Sequence, residues 1–258
     1  MDFLLECIGF PPDHDLDALA HLAREGGESV AWRGPAGEHL RLDLGDGLEL
    51  RMDREEGSAH WTLLPYFRAN HRLRVAVETL ERPADSPFDV LVTGWANPPA
   101  RAAGAEPGAE SWHLSATLTD ARRVPLDLIR GHVLGLALAG FALDVEDVLP
   151  PSESSSGAGE AWIGVVGGAD APGGCVELSL PVRSVRELAN GMTGAAVVQI
   201  EVDAPGRPLE LFVSPWQLEA DGLLAPSPGS RIEGIFLLSG RVAGGIDGPS
   251  RRVGRAFG

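Results

Sequence analysis

Lysine is absent from the 258 residues, and all 21 cationic side chains are arginine. Without an ε-amine the chain has no Walker-type phosphate loop, no kinase-type lysine and no Schiff base or pyridoxal attachment. Cysteine is scarce: Cys7 and Cys175 stand far apart, each in an apolar run. Two thiols make neither a disulfide framework nor a Cys-x-x-Cys metal motif, and read as small buried hydrophobes. Long apolar runs are missing as well. The longest, Val133 to Leu143, is too short to span a bilayer. Basic charge is outnumbered, 21 against 37, giving a formal net charge of −16 that repels phosphate backbones. The densest basic cluster, Arg251, Arg252 and Arg255, reads as a frayed, solvated tail. Met1 to Phe10 has no basic n-region or cleavage site, so no signal peptide is expected. These absences argue against nucleic acid, membrane and cofactor, and a cytoplasmic protein is expected.

Hydrophobic residues are 44% and charged residues 22%, enough apolar content for a sizeable core. Phe3 to Phe10 reads as a buried strand stopped by Pro11 and Pro12. Asp13 is placed to cap a helix over about 13–25, with Leu16, Leu19, Ala20 and Ala23 facing the core. His39 to Leu44 alternates polar and apolar, Gly45-Asp46-Gly47 turns, and Leu48 to Asp53 alternates again. That pattern predicts a hairpin with one wet face. Further strands are expected at Trp61–Arg68, Leu73–Leu80, Phe88–Trp95, Trp112–Leu118 and Ile129–Val145. The last is Leu-rich, but Gly131, Gly135 and Gly140 favour a long bent strand over a helix.

Pro, Ala and Gly without periodicity mark Asn97 to Glu110 as a loop. Pro150 to Glu160 reads as a linker between an N-terminal β-rich domain (1–149) and a C-terminal one (161–258). Strands follow at Trp162–Val166, Cys175–Val185, Ala196–Val202, Leu209–Val213 and Ile232–Val242, punctuated by Pro205-Gly206 and Pro228-Gly229. An internal echo accompanies them. Leu73 to Pro83 leads to Phe88–Val92 and Trp95; Val197 to Pro208 leads to Leu209–Val213 and Trp216. Strands opening at Ile129 and Ile232 then pass Gly140 and Gly240. A duplicated β-unit would explain the echo.

Catalytic signatures are lacking. Seven histidines (14, 21, 39, 60, 71, 113 and 132) show no His-Glu-x-x-His or finger spacing. His14 and His21 read as a solvated helix face. Asp13-x-Asp15-x-Asp17 opens like a calcium loop, but Ala18 stands where glycine is needed. No Gly-x-Ser-x-Gly elbow occurs, and Ser154 to Ser156 fall in the linker. Gly164-Val-Val-Gly167-Gly168 reads as a glycine turn, and Asp144, Glu146 and Asp147 as a solvated strand edge. No metal site is expected.

Trp32, Trp61, Trp95, Trp112, Trp162 and Trp216 all fall in or beside expected strands. Trp95 and Trp216, at matched places in the echo, are the candidate ligand-binding pair. The expected fold is mainly β, with two sandwich- or barrel-like halves and one short N-terminal helix. The expected function is a non-catalytic interaction or scaffold protein. It would act through a β-sheet surface on a basic protein partner, with self-association open. The alternatives are a small-molecule or carbohydrate-binding β-module and a hydrolase whose Asp, Glu and His converge only in space.

Overall fold

Two strands of 17 residues organise the molecule: β8 (Val133–Leu149) and β13 (Arg231–Asp247). Each extends on the order of 55 Å. They form one antiparallel ladder, from Val133 opposite Asp247 to Leu149 opposite Arg231. The computed structural model describes residues 3–30, 37–83, 86, 88–98, 110–120, 124, 128, 130–151, 161–166 and 173–247. Trp32, Ile129, Ser154 to Ser156, Gly167, Gly168 and the arginines of the tail lie outside these residues.

A five-strand ring closes on each half of the ladder. Ring one is β5 (Leu73–Glu81), β6 (Val90–Ala96), β7 (Trp112–Leu118), the second half of β13 and the first half of β8. Ring two is β10 (Cys175–Ala189), β11 (Ala196–Val202), β12 (Leu209–Val213), the second half of β8 and the first half of β13. In each ring one junction is parallel, β7 with β13 and β12 with β8, and the others are antiparallel. Exchanging β5 with β10, β6 with β11, β7 with β12 and β8 with β13 turns every one of these pairings into another existing one. The short β9 (Trp162–Val165) adds to β10. The chain is therefore mainly β with two barrel-like halves, as its alternating patterns predict.

The exchange centres on two glycines. Leu138 pairs with Gly240 and Gly140 with Leu238. Each glycine also meets a third strand, Leu118 beside Gly240 and Leu211 beside Gly140. A Cβ would lie 2.5 Å from a Leu211 methyl at Gly140, and 2.0 Å from the Ala137 carbonyl oxygen at Gly240. Only glycine lets three backbones approach so closely. The sequence echo relates Gly140 to Gly240 as the pairing does, but its upstream part is displaced by one strand. It matches β5 with β11, whereas the counterpart of β5 is β10. Two alternating strands resemble each other whichever hairpin they come from.

The division expected at 150–160 falls between β8 and β9. The segments on either side interlock, since ring one takes half of β13 and ring two takes half of β8.

A second sheet, β1 (Glu28–Ser29), β2 (Gly37–Gly45), β3 (Leu48–Glu55) and β4 (Thr62–Phe67), stands against both rings. Its β2–β3 turn is Asp46-Gly47 with φ of 50° and 86°, the geometry a two-residue hairpin needs. β4 touches β8 and β13. One sheet face is apolar, and Phe67 there packs on Phe212 of ring two at 4.9 Å. The other face carries His39, Arg41, Glu49, Arg51, Asp53 and Tyr66 and meets Thr119, just past β7 of ring one. This is the face the alternation assigns to water, and its centre is buried, with Asp43 exposed at the rim: Glu49 is 1% exposed, His39 3% and Asp53 4%. Alternation marks a polar face and cannot say what covers it. Here the cover includes Thr119 beyond β7 and the Phe88 ring beside His39. Glu49 accepts from Arg68 at 2.6 Å and from Arg51 and Arg41 at 3.3–3.5 Å. Arg51 lies over the Tyr66 ring at 3.4 Å and donates to the Thr119 hydroxyl.

The helices depart from expectation in detail. Phe3 to Phe10 is no strand. It forms a one-turn helix, α1 (Phe3–Glu6), and a tight turn in which Gly9 N–H bonds to the Glu6 carbonyl. Leu4 to Phe10 is buried, but the backbone is anchored by side chains rather than a ladder: Asn190 donates to the Ile8 carbonyl and Thr193 to that of Gly9. Helix α2 (Leu16–Gly26) is capped by Asp15, not Asp13, through bonds to the N–H groups of Asp17 and Ala18. Leu19 and Ala20 face the core, while Leu16 is 44% exposed; the Ala23 side chain lies outside the described set. A further helix, α3 (Pro215–Ala220), follows β12. Pro205-Gly206 joins β11 to β12 as expected, whereas Pro228-Gly229 follows α3 and leads into β13.

Candidate functional site

On the outer face of ring one, β5, β6 and β7 lie side by side, and Ala76, Trp95 and His113 stand in one cross-strand row. The apolar positions of β5 run Leu73, Val75, Val77 and then Leu80, slipping by one residue. The slip is a β-bulge: Val77 pairs with Gly94 and Thr79 with Thr93, leaving Glu78 as the extra residue. The bulge aims the Glu78 carboxylate along the row. It accepts from His113 Nε2 at 2.8 Å, from Trp95 Nε1 at 3.2 Å and from Arg130 at 3.1 Å. The Trp95 and His113 rings are held 5.1 Å apart at 40°. Partial burial works against the Glu78 charge. The donated bonds of His113 and Trp95 and the Arg130 guanidinium outweigh it, so the carboxyl sits below its usual range. Glu78 is one-quarter exposed, His113 one-third, and Arg130 lies in solvent.

Trp95 is thus fixed in a partly exposed aromatic platform. Trp216 is not its counterpart. It lies on α3, behind ring two, in a helix whose N-cap Ser214 accepts from Gln217 N–H and donates to buried Glu6. The strand equivalent to β6 is β11, so the two tryptophans occupy unmatched places on different elements. His113, Glu78 and Arg130 escaped sequence reasoning as site residues. The one local signal was the phase slip between Val77 and Leu80.

A second grouping bears on the hydrolase reading. His39 and Asp53 face each other across β2 and β3 with Nδ1 and Oδ1 2.6 Å apart, both side chains buried. The Phe88 ring stands edge-on to His39 at 4.3 Å. A working base would pass a proton through Nε2. That atom is buried and makes no hydrogen bond. Beside this pair Asp53, His60, Thr62, Ser86 and Phe88 line a hollow of about 100 Å³. An open cleft of about 520 Å³ adjoins it at Glu38, Arg54, Glu55 and Ser58. Neither tryptophan of the candidate pair lines these hollows.

His14 Nδ1 bonds to the Pro11 carbonyl and exposed His21 pairs with Glu25, so the two do not converge. Among the described residues no group of three or more His, Cys, Asp or Glu is arranged to hold a metal ion. Burial pushes the Cys7 thiol up to about 12 and that of Cys175 to about 11, and both are free. Asp147 and Asp144 stand opposite Glu233 and Ile235 of β13, so that stretch of β8 is laddered on this side rather than a bare edge. No helix among the described residues is long and apolar enough to cross a membrane.

No protein-family model matches the chain, and no curated protein does. Among solved structures it resembles the cytoplasmic molybdate-binding protein ModG, in a crystal form with molybdate bound. The identity is 14% and the TM-score 0.29, over 68% of this chain and 98% of that one. Those figures are too low to carry an argument about this chain's ligand.

Proposed function

We propose that the chain is a non-catalytic binding module whose platform of Trp95 and His113, braced by Glu78, takes a small ligand with a flat hydroxylated face, of the carbohydrate type. One observation carries this reading. Three donors converge on one carboxylate and hold two rings side by side and partly open to solvent. A platform fixed before binding loses little side-chain freedom when a ligand stacks on it. Arg130 at the rim keeps guanidinium hydrogens available for ligand oxygens. A reducing, cytoplasmic setting suits the two buried free thiols. The net charge of −16 supports a basic protein as a second partner, without selecting a surface for it.

The test is a panel of mono- and oligosaccharides followed by amide chemical shifts and calorimetry. The expected result is millimolar or tighter binding, with shifts centred on β5 to β7. Trp95→Ala should weaken it at least tenfold and Trp216→Ala should leave it unchanged. Silence across the panel, or equal affinity in Trp95→Ala, would overturn the reading.

A further inference from the structure

Ring two carries a different arrangement on its outer face. Val198, Ile200 and Val202 of β11 and Leu209, Leu211 and Val213 of β12 share one face, paired across the two strands. Gln199, Glu201 and Glu210 alternate onto the other. Glu201 and Glu210 stand directly opposite one another, a like-charge pair that ordinarily weakens a sheet. Gln199 Nε2 donates to Glu210 Oε1 at 3.3 Å. Two acceptors are then left over: Glu210 Oε2 and Gln199 Oε1 are buried and without a hydrogen bond, in residues only 8% and 5% exposed. Glu201 is engaged by Arg183 at 3.3 Å and His71 at 3.6 Å, and exposed Arg186 of β10 stands across from Gln199. Burial foremost pushes the Glu210 carboxyl above its usual range, and the Glu201 charge adds to this, against the pull of His71, the Asn70 N–H and Arg186.

We infer that Gln199, Glu201 and Glu210 form a site for a small hard cation of the alkaline-earth class, bound through oxygen. Two orphan acceptors beside a second carboxylate are what such an ion requires, with water completing the shell at the partly exposed Glu201. A proton on Glu210 would relieve one orphan oxygen; a cation relieves both and also separates the opposed carboxylates. Two carboxylates and an amide, with no thiolate, suit oxygen-seeking ions rather than softer metals. This site is independent of the Trp95 platform.

The test uses the full chain, stripped with chelator and kept at constant ionic strength so that general screening of the acidic surface is held fixed. Calcium and magnesium are titrated by calorimetry and by thermal melting. One of them should raise the melting temperature by about 3–6 °C at tenfold excess over its Kd. Glu210→Gln should abolish the response and Gln199→Met should reduce it. If Glu210→Gln fails to fold, Glu201→Gln decides, and a full response in that variant sinks the proposal. A wild-type chain indifferent to both ions does so too, and a Glu210→Gln variant that melts higher without any ion would show that a proton fills the role.

Discussion

Glu49→Gln isolates the least expected feature of the fold, a charged sheet face under cover. The substitution keeps shape and volume and removes one charge. Glu49 receives three guanidiniums, of which Arg51 is nine-tenths buried while Arg41 and Arg68 are one-third and two-fifths exposed. The exposed two have surface carboxylates to fall back on, Glu28 and Asp43. Their share of the loss is small, about 0–1 kcal/mol each. Arg51 keeps the Thr119 hydroxyl and the Tyr66 ring among its contacts but loses the Glu49 carboxylate inside the protein. Removing one partner of a buried pair costs about 3–5 kcal/mol. With solvent reaching the rim of the network, about 3 kcal/mol is expected overall. For a chain of this size that lowers the melting temperature by about 6–12 °C. Calorimetric melts at neutral pH read it directly. The double variant Glu49→Gln/Arg51→Met removes both buried charges and should recover at least about 1 kcal/mol relative to the sum of the single changes. A Glu49→Gln melt within 2 °C of wild type, or strict additivity in the double variant, would refute a coupled buried network.

Gly240→Ala sets a Cβ 2.0 Å from the Ala137 carbonyl oxygen where three strands meet, whereas Gly164→Ala meets nothing within 4 Å. The first should lose about 3 kcal/mol or more and the second less than about 1, read from urea melts. Residues 1–151 and 161–258 made separately should each lack native sheet signal by circular dichroism, because each ring borrows a strand half from the other segment. Mixing them should restore part of it, and an independently folded half would defeat this account of the ladder. Glu78 titrates below the usual carboxylate range, so the stability it contributes is present above the unfolded carboxylate value and lost as pH falls through its folded one. Trp95 fluorescence should change in that acid window and stay flat there in Glu78→Gln.

The strands were legible because short β-type runs, largely alternating, are bounded by turn residues. Trp112–Leu118, Ala196–Val202 and Leu209–Val213 stand where the pattern puts them, residue for residue. So was the choice of strand for the glycine-bearing run around Gly140. The N-terminus was not legible, since an apolar run without a period fits a strand or a buried helical turn equally. What decides Phe3 to Phe10 is the pair Asn190 and Thr193, some 180 positions away, which anchor its carbonyls. No local pattern carries that information.

The platform marks a different boundary of what a sequence can say. Trp95 stands out as an aromatic in a strand, but its role depends on which residue lies across from it and on a bulge one strand away. Register sets the first, and closure of ring one by Ser239 and Gly240 of β13, far downstream of Trp95, sets the second ring edge against which that register is held. The same dependence explains why Trp216 looked equivalent. An echo one strand out of phase places it beside β12, while the pairing makes β11 the counterpart of β6. The phase slips in β5 and β10 are visible in sequence at Glu78 and Arg183, and in the structure both mark an extra, unpaired residue. A slip of that kind in an otherwise strict strand is therefore a better pointer to an outward-aimed side chain than a tryptophan count. In β5 it aims the carboxylate that fixes two rings. In β10 it frees Arg183 to reach Glu201, beside the two orphan oxygens of ring two.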